Sequence, residues 1–451
     1  MPVFFRQAHK ATLLFLSIVL AFVPFGAAEA AGISIVRDAE TEKMIRDYAT
    51  PIWRAAGLVP SAVQVHLVLD PSINAFVAGG QHLFINTGLI TQVDSPMELY
   101  GVIAHETGHM AGGHLARGGE AMGKLALPYY ASMIAGLGAM IAGAGDAGMA
   151  ILAGGAQVAQ RSVLAYSRQQ EGSADQAGAT YLQRAHLSGK GMLELFEQFR
   201  DQEALSTTSQ DPFVRSHPIS EDRLASLQQR VKASPYYDTP DSPQSIHEFR
   251  MVQAKLNGFV DDPSTTFNRY PKSDQSDFAH YARAVAYHKM GANDKAQAEL
   301  APLISKMPND PYLWELKGQI EYEGGKVDAS IPSYKMAHSL DPNEPQISLA
   351  LAQSMLATDN NAYVDDALAL LKKSIAGDSS NPFAFYQIAI AYGRQNKIGM
   401  AELSTAQYYE AIGSSPDAFM HAQKAQTLLK QGTPEWIRAQ DIAMANQPNR
   451  E

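Results

Sequence analysis

The segment His105-Glu106-Thr107-Gly108-His109 restricts the fold of this chain more than any other feature. Residues four positions apart lie one above the other on a helix of about 3.6 residues per turn. Both imidazoles can then direct a nitrogen at one metal ion, and Glu106 stands beside them, placed to take a proton from a metal-bound water. The chain must therefore contain a helix that presents these three side chains to one site.

The residues before the motif carry the start signals of such a helix. Ser95-Pro96-Met97-Glu98 is a capping box with proline at the first helical position, so the side chains of Ser95 and Glu98 can satisfy backbone amides that lack a helical partner. Apolar residues follow at helical spacing and predict a helix that continues to about Ala116. Upstream patterns predict a helix over residues 40–58, a strand over 63–69 and two short strands within 74–86.

Two histidines are too few for a catalytic zinc ion, which usually takes three protein ligands and a water. The chain has no cysteine, so the missing ligand must be a histidine or a carboxylate. Three candidates follow the motif in the sequence: His114, Glu171 and His217. His114 would face away from His105 if the helix continued, unless Gly112-Gly113 bends the chain, so we interpret it as a supporting or packing residue.

Glu171 lies in a segment of small residues, Glu171-Gly172-Ser173-Ala174-Asp175, which predicts a helix in close contact with another helix. Asp175 comes one turn later on the same face, where it suits a hydrogen bond to the second nitrogen of a ligand histidine. The alternative is an exposed pair of carboxylates on a solvated helix.

The sequence beyond Asp277 repeats with a period of about 34 residues. Alanines recur near the start of every second predicted helix with spacings of 33, 38 and 34, at Ala296, Ala329, Ala367 and Ala401. The longest spacing indicates an insertion around Asp359-Asn360-Asn361. Prolines recur at the junctions Asp310-Pro311, Asp341-Pro342 and Asn381-Pro382. This pattern is the tetratricopeptide signature and predicts a helical solenoid whose concave face binds protein segments; a generic helical bundle is the alternative.

The first thirty residues have the pattern of a cleaved secretory signal. Arg6 and Lys10 precede an apolar run, and Ala28-Glu29-Ala30 matches a cleavage site, so we expect cleavage near Ala30. With no cysteine that could be mispaired, the chain suits the periplasm. Its net charge of −10 argues against nucleic acid as a partner.

The apolar run Leu125–Ala142 has eighteen residues without a charge. Pro128, Gly136 and Gly138 interrupt it, so we expect a buried or membrane-touching helical hairpin, with a membrane span and a lid over the site as alternatives. A peripheral membrane contact through residues 125–155 follows from this expectation.

These motifs together resemble the gluzincin peptidases, which include the CAAX prenyl protease and bacterial heat-shock membrane proteases. The resemblance rests on His105–His109 with His114, on Glu171–Asp175, on Ser216-His217-Pro218 with Arg223, on Asn74-Ala75-Phe76 and on Phe84–Leu89. It implies that His105, His109 and Glu171 bind one Zn²⁺ per chain and that Glu106 is the general base. It also implies that Asp175 supports a ligand, that Arg223 contacts the tetrahedral intermediate or the carbonyl, and that His217 fills the fourth position in a latent state. Asn74, Ala75 and Phe76 would align the substrate on an edge strand.

We therefore expect an α+β chain, mainly α, with a zincin-like metallopeptidase domain that contains a small sheet, followed by an all-α tetratricopeptide-repeat solenoid. The expected boundaries are a signal peptide at 1–30, the peptidase domain at 31–233, a linker and connecting helix at 234–276, repeats at 277–445 and a tail at 446–451.

The expected function is a zinc endopeptidase of the cell envelope that degrades misfolded or stalled outer-membrane proteins and assists their assembly. Its partners would be unfolded or misassembled proteins and, through the repeats, the outer-membrane assembly machinery. Two alternatives stay open: a chaperone or adaptor that acts mainly through its repeats, and a zinc hydrolase of a non-peptide substrate.

Overall fold

The computed structural model describes residues 34–114, 168–200, 212–379 and 381–447. The predictions for the signal peptide and for residues 125–155 lie outside these ranges, as does most of the predicted tail. Across the described part of the chain, no helix combines the length and the apolar character that a membrane crossing requires.

A small four-stranded sheet lies in the N-terminal part of the chain, and it confirms the predicted strands. Its members are β1 (Ile35–Val36), β2 (Gln64–Val68), β3 (Ala75–Ala78) and β4 (His82–Asn86), in the order β1-β2-β4-β3. β2 and β4 are parallel, whereas β1 and β3 run antiparallel to their neighbours. Gly79 and Gly80 both have positive φ, 56° and 95°, so glycine permits the turn into β4. β3 lies at one edge of the sheet, beside β4.

Three helices pack on one face of this sheet and bury the main core. They are α1 (Ala39–Ala55), α2 (Thr87–Gln92) and α3 (Pro96–Ala111). The core contains Ile45, Ile52 and Trp53 of α1, Leu67 and Ile85 of the sheet, and Leu99 and Ile103 of α3.

The helix α3 differs from the prediction at both of its ends. The side chain of Ser95 makes no capping hydrogen bond, while Glu98 accepts the backbone amide of Asp94 at 3.0 Å, so the box is shifted by one residue. The helix ends at Ala111 rather than near Ala116, because Gly113 adopts a φ of 60° and turns the chain.

Four further helices complete the N-terminal unit: α4 (Arg168–Arg184), α5 (Lys190–Phe199), α6 (Pro212–Ser216) and α7 (Glu221–Lys232). The approach of α4 to α3 is as close as the small residues predict. A Cβ on Gly108 would lie 2.6 Å from the carbonyl oxygen of Ala174, and one on Gly178 would lie 2.9 Å from the backbone of Ala104. Glycine on both helices therefore lets α4 lie directly against the histidine motif.

The long helix α8 (Pro243–Val260) belongs to two cores at once. Phe249 and Val252 pack into the N-terminal core, while Met251 and Ala254 pack into a second core with the first repeat helix. Close by, Lys255 is 3% exposed, with its ammonium 2.5 Å from Asp38 and 3.2 Å from Glu40 at the start of α1. The connecting segment is thus fixed to both parts of the chain by apolar and ionic contacts.

The remaining helices form the repeat region, which is of the tetratricopeptide type. After the short α9 (Pro263–Arg269), helix pairs follow at α10 (Asp277–Lys289), α11 (Asn293–Lys306), α12 (Pro311–Glu323), α13 (Val327–Leu340), α14 (Pro345–Ala357), α15 (Val364–Gly377), α16 (Pro382–Arg394), α17 (Ile398–Ala411), α18 (Ser415–Leu428) and α19 (Pro434–Ala445). A short 3-10 helix at Asn361–Tyr363 is the predicted insertion.

The predicted register of the second repeat was wrong by one residue. The second helices of successive repeats begin at Asn293, Val327, Val364 and Ile398, so the residue equivalent to the buried Ala296 is Ser330, not Ala329. Ser330 is fully buried at the helix crossing, whereas Ala329 is exposed. The junction proline is likewise Pro345 at the first position of α14, not Pro342. A small serine can fill the crossing as well as alanine does, which is why counting alanines alone misplaced it.

Candidate metal centre

Four side chains from three separate segments meet in one fully buried cluster: His105 and His109 from α3, Glu171 from α4, and His217 just after α6. The Nε2 atoms of His105 and His109 are 3.1 Å apart. The Nδ1 atom of His217 lies 3.2 Å from Nε2 of His105 and 3.1 Å from Oε1 of Glu171. Oε1 of Glu171 is also 3.3 Å from Nε2 of His109.

These separations fit a single ion at the middle of the cluster. A tetrahedral ion with ligand bonds of about 2.0–2.1 Å places its ligand atoms about 3.3–3.4 Å apart. The separations given above, 3.1–3.3 Å, lie just below that value, and the second oxygen of Glu171, Oε2, is 3.5 Å from Nε2 of His105. Three imidazoles and one carboxylate are also a donor set that suits a borderline divalent metal such as zinc.

Each motif histidine is held by a second group on its other nitrogen. Nδ1 of His105 is 2.9 Å from Oδ1 of Asp175, and Nδ1 of His109 is 3.0 Å from Nδ1 of His114. His114 reaches this position because the chain turns at Gly113, so the continuing-helix geometry considered from the sequence does not apply. Both contacts leave the Nε2 atoms directed at the cluster, as ligand histidines require.

Glu106 lies at the side of the cluster, next to His217. It is fully buried, and its Oε1 atom lies 3.4 Å from Nε2 of His217. Within the described residues, no donor makes a hydrogen bond of good geometry to either oxygen of this carboxylate. The helix that carries it packs against the edge strand β3.

Arg223, in the first turn of α7, contacts two carboxylates of the centre. Its Nε and Nη2 atoms donate to the two oxygens of Asp175 at 2.8 and 2.9 Å, and Nη1 lies 3.0 Å from Oε2 of Glu171. Nη1 also donates to the carbonyl of Pro218. The guanidinium therefore contacts the ligand candidate Glu171 and also Asp175, the hydrogen-bond partner of His105.

The electrostatics of the cluster favour a cation. Burial raises the pKa of Glu171 on its own, but the charge of His217 and hydrogen bonds from the histidines bring it well below its usual range. Burial lowers the pKa of His105, yet its bonds to Asp175 and Glu171 outweigh this effect and raise it to about 10. Burial lowers the pKa of His109 to about 3 and raises the pKa of Glu106. Buried carboxylates that stay ionised need positive charge nearby, which a divalent ion supplies.

The predicted substrate-binding residues lie on the edge strand. Ala75 and Phe76 begin β3, and Asn74 directly precedes it, with its carbonyl accepting the amide of Asn86 at 3.0 Å. Ala75 faces the core, whereas the ring of Phe76 stacks on Phe84 on the opposite face, with 4.8 Å between centroids. The side chains of Ala75 and Phe76 are therefore both engaged in packing, on opposite faces of the sheet.

Sequence reasoning missed two aromatic residues around the histidines. The ring of Phe213 is 4.9 Å from that of His217, and the ring of Phe196 is 5.7 Å from that of His105. Both phenylalanines are fully buried. The proximity of Phe213 to His217 in the sequence was the one available signal.

The fold and the clustered ligands are those of a metallopeptidase domain. Residues 36–231 match the model of peptidase family M48, and this part of the chain is a peptidase domain of that family.

Relatives extend the similarity beyond this domain. The chain is 24% identical over 413 residues to the beta-barrel assembly-enhancing protease of Escherichia coli (strain K12), which is 90% of this chain and 82% of that protein. The protein of the same name from Yersinia pestis is also 24% identical, over 85% of this chain and 78% of its own length. A solved tetratricopeptide-repeat protein from Thermus thermophilus aligns with 38% of this chain and all of its own, at 15% identity and a TM-score of 0.25.

Proposed function

We propose that this chain is a zinc-dependent endopeptidase whose active site is latent in the conformation described here. The observation that carries the proposal is the convergence of His105, His109, Glu171 and His217 on one point with the separations of a tetrahedral site. The first three would hold the ion throughout the reaction, and Asp175 and His114 would keep the two motif histidines oriented. Zinc in such a site lowers the pKa of a bound water and polarises the scissile carbonyl.

Latency follows from the fourth ligand. A catalytic zinc site keeps one position open for water or substrate, whereas four protein ligands are typical of closed structural sites. If all four residues held the ion, His217 would occupy the place that a water needs, and Nε2 of the same ring lies 3.4 Å from Oε1 of Glu106. Withdrawal of His217 would free both the position on the ion and the carboxylate.

Once His217 is withdrawn, Glu106 is the group placed to move protons. Its carboxylate would take a proton from the attacking water and return it to the leaving amine.

The substrate would be an extended polypeptide. An edge strand offers a row of backbone donors and acceptors, and an added chain pairs with it through main-chain hydrogen bonds. β3, led by Asn74, Ala75 and Phe76, comes last in the strand order of the described residues and packs against the helix that bears the motif. Pairing of this kind selects unfolded or misassembled proteins, because folded chains seldom present a free extended segment.

The repeats and the relatives support a role in the envelope. Tetratricopeptide solenoids bind protein segments, and the relatives of this chain are called beta-barrel assembly-enhancing proteases. We propose that the chain is exported to the periplasm with cleavage near Ala30. There it would degrade misfolded outer-membrane proteins, and its repeats, at about 277–445, would recruit substrate or the assembly machinery.

The test compares zinc content and cleavage of unfolded casein in wild type, Glu106→Gln and His217→Ala. We expect one zinc per chain in all three, no cleavage by Glu106→Gln, and faster cleavage by His217→Ala than by wild type. If His217→Ala changed neither zinc occupancy nor cleavage, the latency proposal would be wrong.

A second candidate is a chaperone or adaptor with little proteolysis, and the filled set of four ligands favours it. The Glu106→Gln variant separates the two, because it keeps the fold, the ion and the repeats. Suppression of casein aggregation that survives in this variant would support the chaperone role. Zinc bound with no cleavage by any variant, His217→Ala included, would favour it over the peptidase.

A further inference from the structure

We infer that Arg223 is a positioning residue that holds two carboxylates of the metal centre, those of Glu171 and Asp175, and also the backbone of the plug segment (residues 213–218). The resemblance to known peptidases implied instead that this arginine contacts the carbonyl under attack. The inference rests on the function proposed above and assigns a different role within the same site.

The guanidinium is locked in place by the groups around it. Arg223 is 6% exposed, and all three of its nitrogens have partners within the site. Ser220, the N-cap of α7, fixes the start of the helix that carries this arginine by accepting its backbone amide at 3.4 Å. A side chain engaged in this way cannot turn to a substrate carbonyl without giving up these contacts.

The contact to Glu171 fixes the rotation of this carboxylate. Nη1 lies 3.0 Å from Oε2, which is also 3.2 Å from Nδ1 of His217 and 3.5 Å from Nε2 of His105, while Oε1 is 3.1 Å from Nδ1 of His217 and 3.3 Å from Nε2 of His109. Because one oxygen is held by the guanidinium, both oxygens keep their distances to the histidines. Loss of this contact would let the buried carboxylate rotate.

The contact to Asp175 acts on His105 in the same manner. Asp175 receives a two-pronged bond from Nε and Nη2, and its Oδ1 atom is also 2.9 Å from Nδ1 of His105. Partners of this kind fix the orientation of a ligand histidine and raise its basicity. The arginine also supplies the positive charge that two buried carboxylates need.

The contact to Pro218 connects these ligands to the plug segment. Nη1 donates to the carbonyl of the residue that directly follows His217. The same nitrogen thus contacts the Glu171 carboxylate and the backbone of the plug segment. Movement of either group would therefore displace the other. Lysine cannot replace this arrangement, because a single ammonium lacks the planar fork of guanidinium.

The test measures zinc affinity, by competition with a coloured chelator, for Arg223→Lys and Arg223→Gln. Arg230→Gln is the matched control, since Arg230 lies on the same helix and bonds Thr180 on α4 at 3.0 Å, away from the ligands. We expect both Arg223 variants to bind zinc about 10- to 100-fold more weakly, with an altered visible spectrum after loading with Co²⁺. Arg230→Gln should match wild type in both measurements.

Unchanged zinc affinity and an unchanged Co²⁺ spectrum in the Arg223 variants, together with a reduced kcat, would overturn the inference and indicate contact with the reacting carbonyl. If the Arg223 variants do not fold, Asp175→Asn replaces them; it should also weaken zinc binding, and wild-type affinity there would contradict the inference equally. Failure of the proposed peptidase function can be told apart from failure of this inference. If neither wild type nor His217→Ala cleaved casein, the peptidase proposal would fail, while the zinc affinities of the Arg223 variants would still test the inference.

Discussion

Gly108→Ala should damage the metal centre without touching any ligand. Gly108 lies inside the motif, and a Cβ there would be 2.6 Å from the carbonyl oxygen of Ala174. Real Cβ atoms essentially never come closer than 3.0 Å, so α3 and α4 must separate by at least 0.4 Å. Ligand distances in a metal site hold to within about 0.2 Å, so this shift moves Glu171 and Asp175 beyond the tolerance of the site.

The expected result is a loss of about 1–3 kcal/mol in the free energy of unfolding, typical of overpacking. Zinc affinity should fall by at least about tenfold, the lower end of the effect of disturbed supporting groups. Calorimetry measures the first quantity and competition with a coloured chelator measures the second.

Gly172→Ala is the matched control. Gly172 follows the ligand Glu171 on the same helix, and a Cβ there meets nothing within 4 Å. Alanine should stabilise this helix by about 0.5–1 kcal/mol and leave zinc binding intact. Wild-type zinc affinity and stability in Gly108→Ala would refute the claim that glycine contact between α3 and α4 sets the geometry of the centre.

Three other variants or treatments test separate parts of the account. Phe213→Ala removes a buried ring beside His217, at a cost of about 3–5 kcal/mol in packing free energy. Casein cleavage by this variant should exceed that of wild type at equal zinc content. No gain in cleavage would argue against this ring as a support of the plug segment. Burial raises the pKa of the Glu315 carboxyl group, near Lys255, to about 8. The folded state therefore binds the carboxyl proton more tightly than the unfolded state does. The stability that this proton contributes is lost as pH rises from about 4.5 to about 8. Glu315→Gln should raise Tm at pH 8.5 and leave it unchanged at pH 4, and an equal effect at both values would contradict this. Removal of zinc with a chelator should lower Tm in wild type and in Glu106→Gln, because a ligand at 1,000 times its Kd adds about 4 kcal/mol of stability. The same treatment should lower the Tm of Glu171→Gln much less. A decrease as large as that of wild type would exclude Glu171 as a ligand.

Local signals were enough to predict the parts of the fold that depend on short-range pattern. The motif helix and the two strands around Gly79-Gly80 follow from residues within a few positions of one another. The close contact of α4 with the motif was also readable, because a run of small residues lets a second helix approach closely.

What the sequence could not indicate depends on backbone conformation or on distant pairing. His114 reaches His109 only because Gly113 adopts a φ of 60°, and glycine in a sequence permits but does not require this. The fork between Arg223 and Asp175 joins residues 48 positions apart. The shared role of Lys255 at the junction of α1 and the repeats likewise appears only once α8 is placed between them.

The most direct test of the central claim is X-ray absorption at the zinc edge, which counts the imidazoles on the ion. The account predicts a four-coordinate zinc with three imidazoles and one carboxylate in wild type, at bond lengths of about 2.0–2.1 Å. His217→Ala should retain the ion with two imidazoles and an added light ligand. Two imidazoles in both proteins would contradict the account, because His217 would then lie beside the ion without closing its open position.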